Sequence, residues 1–190
     1  MKIKHLLLVL PMAILCIAAA SAQDRKFSLS LGLDGGLPVS SGFKDIYSAA
    51  AGLTLRGQYN INEKIGLTLS SGAIGFFPKN FDGMDGEDGI DINAMLSIPV
   101  KAGGKYYITE KFYGMFELGV VSNRILVGGD DEDLNIGLSE PYSAFVYAPG
   151  IGLQLGGFDL GLRYESFSKG GSSSSFMGLR IGFNLFSIRN

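Results

Sequence analysis

The side chains with the strongest claim to chemistry lie in one stretch. Phe81 to Asn93 carries Asp82-Gly83, Asp85-Gly86 and Asp88-Gly89 at a spacing of three, then Asp91, with Glu87 between them. Several carboxylates on a glycine-rich turn can gather Ca²⁺, which takes six to eight oxygens. An EF-hand spaces its ligands by two and closes on a distant Glu. The Asp82 to Asp91 stretch does neither, so its spacing favours a solvated acidic loop over a calcium site. Asp130-Asp131-Glu132-Asp133 is a second run of the same kind. No residue is assigned as catalytic, cofactor-binding or metal-ligating, and no cofactor is expected.

The only Cys and the only His of the chain, Cys16 and His5, fall in its first 22 residues. That segment has the form of an export signal. Lys2, Lys4 and His5 make a positive start, Leu6 to Ala20 is almost wholly apolar, and Ala20-Ser21-Ala22 offers small residues for a signal peptidase. Pro11 interrupts the apolar run, which is near the lower limit for spanning a bilayer. Leu15 stands where a lipobox before Cys16 would need a small residue. The expectation is a signal peptide over 1–22, cleaved before Gln23, and one domain over 23–190.

The mature chain then has no thiolate and no imidazole. Asp, Glu and Lys remain as possible bases, but no paired constellation calls for them, and an enzyme is not expected. Loss of Lys2 and Lys4 takes the sixteen basic residues to fourteen, against eighteen acidic ones. That balance argues against nucleic acid, whose recognition needs a basic patch.

What must position any functional loop is a set of strands written with a period of two. Phe27, Leu29, Leu31 and Leu33 alternate with Ser28, Ser30, Gly32 and Asp34. Leu179, Ile181, Phe183 and Leu185 alternate with Arg180, Gly182 and Asn184 near the end. Between them lie Leu53 to Gln58, Ile65 to Ser70, Ile98 to Ile108, Phe112 to Val121, Phe145 to Leu155 and Phe158 to Glu165, which makes eight strands. No mature segment reads as a long amphipathic helix, and the β-branched, aromatic and glycine content suits an all-β chain.

Alternation alone fits a soluble barrel as well as a membrane barrel. Three features favour an eight-stranded antiparallel transmembrane up-and-down β-barrel with the leucine face outward. Gly, Ser and Thr share the other face with a few long charged residues, as a narrow interior requires. The residues assigned inward, Arg56, Lys101, Lys105, Arg163 and Arg180 against Asp34, Glu117, Asp159 and Glu165, nearly balance, as buried charges must. The outward positions carry no charge.

Connection lengths alternate in the same sense. Pro38 to Ser48, Phe77 to Asn93, Asn123 to Pro141 and Ser168 to Ser175 are the longer ones; Asn60 to Lys64, Thr109 to Lys111 and Gly156-Gly157 are tight. Short turns at the periplasmic end and long loops outside are the habit of outer-membrane barrels. Tyr59, Tyr106, Tyr107, Phe112, Tyr113 and Phe158 at one end, and Tyr47, Phe76, Tyr142, Tyr147, Tyr164 and Phe176 at the other, are expected to form two girdles at the lipid interfaces. Pro99 and Pro149 fall inside strands and predict a bulge or an irregular ladder at each.

The eight-strand plan resembles small OmpA-like barrels. Ser97-Ile98-Pro99-Val100-Lys101 followed by Lys105-Tyr106-Tyr107-Ile108 is similar to the fourth strand of outer-membrane β-barrel domain proteins common in Bacteroidetes, a group that includes PorT-like proteins linked to secretion. Gly178, Ile181, Gly182, Phe183, Leu185 and Phe186 are similar to the terminal signal read by the barrel-assembly machinery, although Ser187 to Asn190 follow. The resemblance implies the bacterial outer membrane, with its lipid and lipopolysaccharide as surroundings and the assembly machinery as a partner during biogenesis. The expected role is envelope-structural or surface-interacting through acidic extracellular loops, around a plugged polar interior, with an envelope or surface protein as a possible partner. A PorT-like secretion role or a narrow small-solute channel is the alternative.

Overall fold

The computed structural model describes residues 25–79, 94–127 and 137–189. Eight long strands close on themselves: β1 (Arg25–Pro38), β2 (Tyr47–Asn60), β3 (Ile65–Pro78), β4 (Met95–Tyr107), β5 (Phe112–Val127), β7 (Tyr142–Leu155), β8 (Phe158–Lys169) and β9 (Ser172–Arg189). Each pairs antiparallel with its neighbours in chain order, and β9 returns to β1, which removes both sheet edges. The two-residue β6 (Gly137–Leu138) pairs only with the outer end of β5. A single helical turn, α1 (Phe43–Ile46), lies between β1 and β2. The all-β eight-stranded barrel expected from the alternation is the fold observed.

The period-two pattern sets which side each residue faces. Leu33, Leu53, Leu55, Leu67, Leu69, Ile98, Val100, Leu118, Val120, Ile151, Leu162, Leu179 and Ile181 stand exposed around the outside. Asp34, Thr54, Arg56, Thr68, Ser70, Lys101, Glu117, Arg163 and Arg180 are buried within. A soluble protein does not expose a continuous apolar surface of this extent. Among the described residues no helix is long and apolar enough to cross a membrane, so the crossing falls to the strands. Fourteen residues, the length of β1, β2, β3 and β7, extend roughly 46 Å along the strand, ample for a tilted passage through a hydrocarbon layer of about 25 Å.

Turn chemistry pins the inner end. Asn62 Oδ1 accepts from the backbone N–H groups of Lys64 and Ile65, both at 2.9 Å, and Thr109 Oγ1 accepts from Phe112 N at 3.0 Å. At the Gly156-Gly157 turn Gly156 has φ of 59°, and Gln154 Nε2 donates to the carbonyls of Gly156 and Phe158.

One sequence expectation changes. Ser168 to Ser175 is not a moderately long loop: Ser168 pairs with Ser173 and Lys169 with Ser172, leaving Gly170-Gly171 as a two-residue turn. Those glycines have φ of 58° and 85°, the left-handed pair that a tight hairpin turn needs. The prolines behave as an irregular ladder without a bulge. Pairing of β3 with β4 skips from Ser71–Val100 to Ile74–Ser97 around Pro99, and that of β7 with β8 skips from Tyr147–Ser166 to Gly150–Arg163 around Pro149, with no change of register. The register shifts lie elsewhere, at Tyr47/Ala49 in the β2–β3 pairing and at Arg25/Phe27 and Leu29/Ser30 in the β1–β9 pairing.

Candidate functional site: the barrel interior and its outer mouth

Inward positions on six strands bring all nine predicted charges together in the interior, each at most 6% exposed. They form a continuous circuit. Asp34 pairs with Arg163, Arg163 Nε with Glu165 at 2.7 Å, Glu165 with Lys101 Nζ at 2.5 Å, and Lys101 with Glu117 at 4.0 Å. Glu117 meets Arg56 Nε at 3.4 Å, and Arg56 and Arg180 both approach Asp159 Oδ1, at 3.7 and 3.6 Å. Arg180 Nε donates to Thr54 Oγ1 at 3.0 Å, and Thr54 Oγ1 donates to Asp34 at 2.6 Å, which closes the ring. Lys105 joins it through Asp159.

Neutral donors add to the coordination of Glu117 and Asp159. Thr68 and Ser70 donate to Glu117 Oε1 at 3.1 and 3.3 Å, and Tyr113 OH donates to Asp159 Oδ1 at 2.9 Å. An ion withdrawn from water costs several kcal/mol unless it is paired and hydrogen-bonded, and here the pairing is shared among nine groups. Glycines give the guanidinium and phenol groups their space. A Cβ at Gly32 would stand 2.4 Å from Arg180 Nε, one at Gly182 2.2 Å from Arg180 Nη1, and one at Gly152 2.3 Å from the Tyr113 hydroxyl.

Above this belt the interior becomes apolar, which the sequence reading missed. Phe43, Tyr47, Ile74, Phe76, Met95, Val121, Val146, Phe167 and Phe176 pack into one buried cluster toward the outer end. Phe76 is its hub, with Phe43 at 5.1 Å, Phe176 at 5.2 Å and Phe167 at 6.1 Å between ring centroids, all edge-on. Arg163 lies 5.9 Å from the Phe176 ring and joins the two layers. Phe43 comes from α1, so the first outer loop folds down into the mouth.

The expected girdles need correction accordingly. Tyr47, Phe76 and Phe176 point into the barrel, as does Tyr113 at the inner end, where Lys105 Nζ sits 4.0 Å from its ring centre. Tyr107 accepts from Gln58 Nε2 at 2.9 Å. Tyr59 and Tyr106 do reach the exterior, and Tyr147 and Tyr164 pair at 6.3 Å, whereas Tyr142 stands on the inward side of β7 at the mouth, its hydroxyl 3.5 Å from Met95 Sδ. Both faces of a strand end are apolar where Ala73-Ile74-Gly75-Phe76-Phe77 lies, so alternation there carries no sign of direction.

Tyr164 also marks where the outer surface changes. Its hydroxyl donates to Ser175 Oγ at 2.8 Å, and Ser175 Oγ donates to Ser166 Oγ at 3.1 Å. Beyond it the outward positions of the β8–β9 hairpin change from leucine and isoleucine to serine: Ser166 and Ser175 are buried beneath the Tyr164 hydroxyl, and Ser168 and Ser173 reach the surface nearer the tip. Apolar side chains suit lipid and hydroxyls suit headgroups or water, so the hairpin rises out of the hydrocarbon layer.

A closed eight-stranded barrel with an apolar outside and charge-paired inside is the architecture of an outer-membrane protein. The sequence pattern of the outer membrane protein beta-barrel domain family matches residues 7–185. The chain belongs to that family. Its place is the bacterial outer membrane. Among solved structures the chain is similar to Ail of Yersinia pestis, determined in complex with the heparin analogue sucrose octasulfate: 16% identity, 86% of this chain against 100% of that one, TM-score 0.60. The same protein in a phospholipid bilayer nanodisc gives 19% identity over 85% and 100%, TM-score 0.54. The N-terminal β-barrel domain of Pseudomonas aeruginosa OprF gives 13% identity over 86% and 100%, TM-score 0.53. At these identities the likeness is one of fold. No curated protein sequence matches the chain.

The acidic stretches Asp82 to Asp91 and Asp130 to Asp133, and the export segment 1–22, lie outside the described residues. Among the described residues no three acidic, Cys or His side chains gather as a metal site.

Proposed function

We propose that this outer membrane barrel is a closed, non-enzymatic anchor that carries its outer loops for contact with the envelope or the cell surface. The observation that supports it is the filled interior. Eight strands enclose a width that side chains can occupy completely, and here a belt of nine buried charges is capped by an aromatic layer around Phe76. A signal peptide removed before Gln23 and folding by the barrel-assembly machinery belong to the same reading. Ail's solved ligand is a heparin analogue, a polyanion. The acidic loops of this chain repel such a ligand, so its contacts are with cationic surfaces or, through divalent ions, with lipopolysaccharide. The motif Ile98-Pro99 to Lys105-Tyr106-Tyr107 favours a second reading, a PorT-like secretion role, which a stable envelope partner recovered from crosslinked cells would support.

The deciding experiment is planar-bilayer conductance of the folded mature chain. The expected result is no steady ion current. A persistent, ohmic conductance would replace the anchor with a channel.

A further inference from the structure

Beside Phe43, within the outer mouth, lies a cavity of about 250 Å³. Its apolar wall is Phe43, Met95, Ala144 and Phe167, the upper surface of the aromatic layer. Its polar wall is Lys169, Asn123, Ser172, Ser174 and Tyr142. Lys169 stands on the last inward position of β8, 5.0 Å from the Tyr142 ring, and has no ion-pair partner among the described residues. Asn123 is buried, 1% exposed, and its oxygen already accepts from Ser97 Oγ at 2.5 Å, so what it has left for the cavity is amide N–H. An ammonium, an amide and three hydroxyls offer hydrogen-bond donors, and no carboxylate is among the described residues that line the space.

We propose that this mouth cavity binds a small carboxylate with an apolar or aromatic body. The apolar part rests on Phe43, Phe167 and Met95, and the carboxylate meets Lys169 and the Asn123 amide. The volume sits just below the usual range for small-molecule sites, which limits the guest to roughly a single ring with a short acid chain. Charge complementarity selects the anion, because among the described lining residues each polar group can donate and the one formal charge, Lys169, is positive. A neutral alcohol of the same shape keeps the apolar contacts and loses the charge-assisted bonds.

The test uses the full mature chain in phospholipid nanodiscs with ¹³C-methyl-labelled methionine, titrated with 4-phenylbutyrate; 4-phenylbutanol is the neutral control and empty nanodiscs report lipid partitioning. The expected result is a saturable shift of the Met95 methyl and not of Met115, with affinity at least tenfold weaker for the alcohol and for Lys169→Ala, and largely restored by Lys169→Arg. Lys169 is exposed at a hairpin end, so these variants fold, and heat-modifiable gel migration verifies it. No saturable shift, equal affinity for acid and alcohol, or no effect of Lys169→Ala would each overturn the proposal. The outcome does not depend on whether the barrel conducts ions.

Discussion

The guanidinium of Arg180 occupies the space that a side chain at Gly32 would need. A Cβ there would lie 2.4 Å from Nε and 2.5 Å from Cζ, and Arg180, 1% exposed, is held by Thr54, Ser30 and Asp159 with nowhere to retreat. Gly32 faces inward between Ser30 and Asp34, and its neighbour across the β1–β9 pairing, Gly182, makes room for the same group. The interior is therefore specified by where side chains are missing as much as by which charges are present.

Gly32→Ala is expected to destabilise the folded barrel by about 1–3 kcal/mol, the ordinary cost of overpacking a tight interior. Gly35→Ala, on the outer face of the same strand with nothing within 4 Å of its Cβ, is expected to be neutral. Urea unfolding in detergent micelles, followed by gel migration of unboiled samples, measures both. Equal midpoints for the two variants would mean that Arg180 swings aside at no cost.

Glu117→Gln is expected to cost about 3–5 kcal/mol, because Arg56 and Lys101 then lose a shared, fully buried counter-charge. Thr68→Val and Ser70→Ala remove only neutral donors to the same carboxylate, and each is expected to cost about 1–3 kcal/mol. The same urea assay ranks them. If Glu117→Gln falls among the neutral-donor variants, the nine charges act as independent pairs rather than as a circuit.

The sequence was informative where one face of a strand differs sharply from the other. Arg56 between Leu55 and Gly57, or Glu117 between Phe116 and Leu118, can only point inward if leucines meet lipid, and all nine charges assigned that way are buried together. It was silent where both faces are apolar, as at Ile74 to Phe77 and Val120-Val121, and the aromatic layer lies at that level. Gly170-Gly171 did carry a signal: a glycine pair between strand ends is the mark of a tight hairpin, as at Gly156-Gly157, and the surrounding serines obscured it. Nothing local to Phe43 announces that α1 turns down into the mouth; that contact exists only once β3, β8 and β9 have set Phe76, Phe167 and Phe176 side by side.

Phe43→Ala is expected to release the first outer loop. Truncating a buried Phe costs about 3–5 kcal/mol, and here the cost falls on one short connection whose only regular element is the four-residue α1. Trypsin added to the folded barrel should then cut at Lys44 at least tenfold faster than in the unaltered protein, while the strands remain protected. Unchanged cleavage would show that Gly42 N donating to Asp45 Oδ2, with Lys44 N donating to Ser40 O, holds the loop without its aromatic contact.

The outer face makes a prediction of its own, tied to height. Leu53, half exposed near the middle of β2, and Ser173, near the tip of the β8–β9 hairpin, both face away from the interior. If lipid covers Leu53, Leu53→Arg costs about 2–4 kcal/mol in phospholipid vesicles, whereas Ser173→Arg, above the change of surface at Tyr164, costs at most about 1 kcal/mol. Equilibrium folding into vesicles measures the pair. Similar small effects at both sites would mean that the leucine surface meets water or protein rather than lipid.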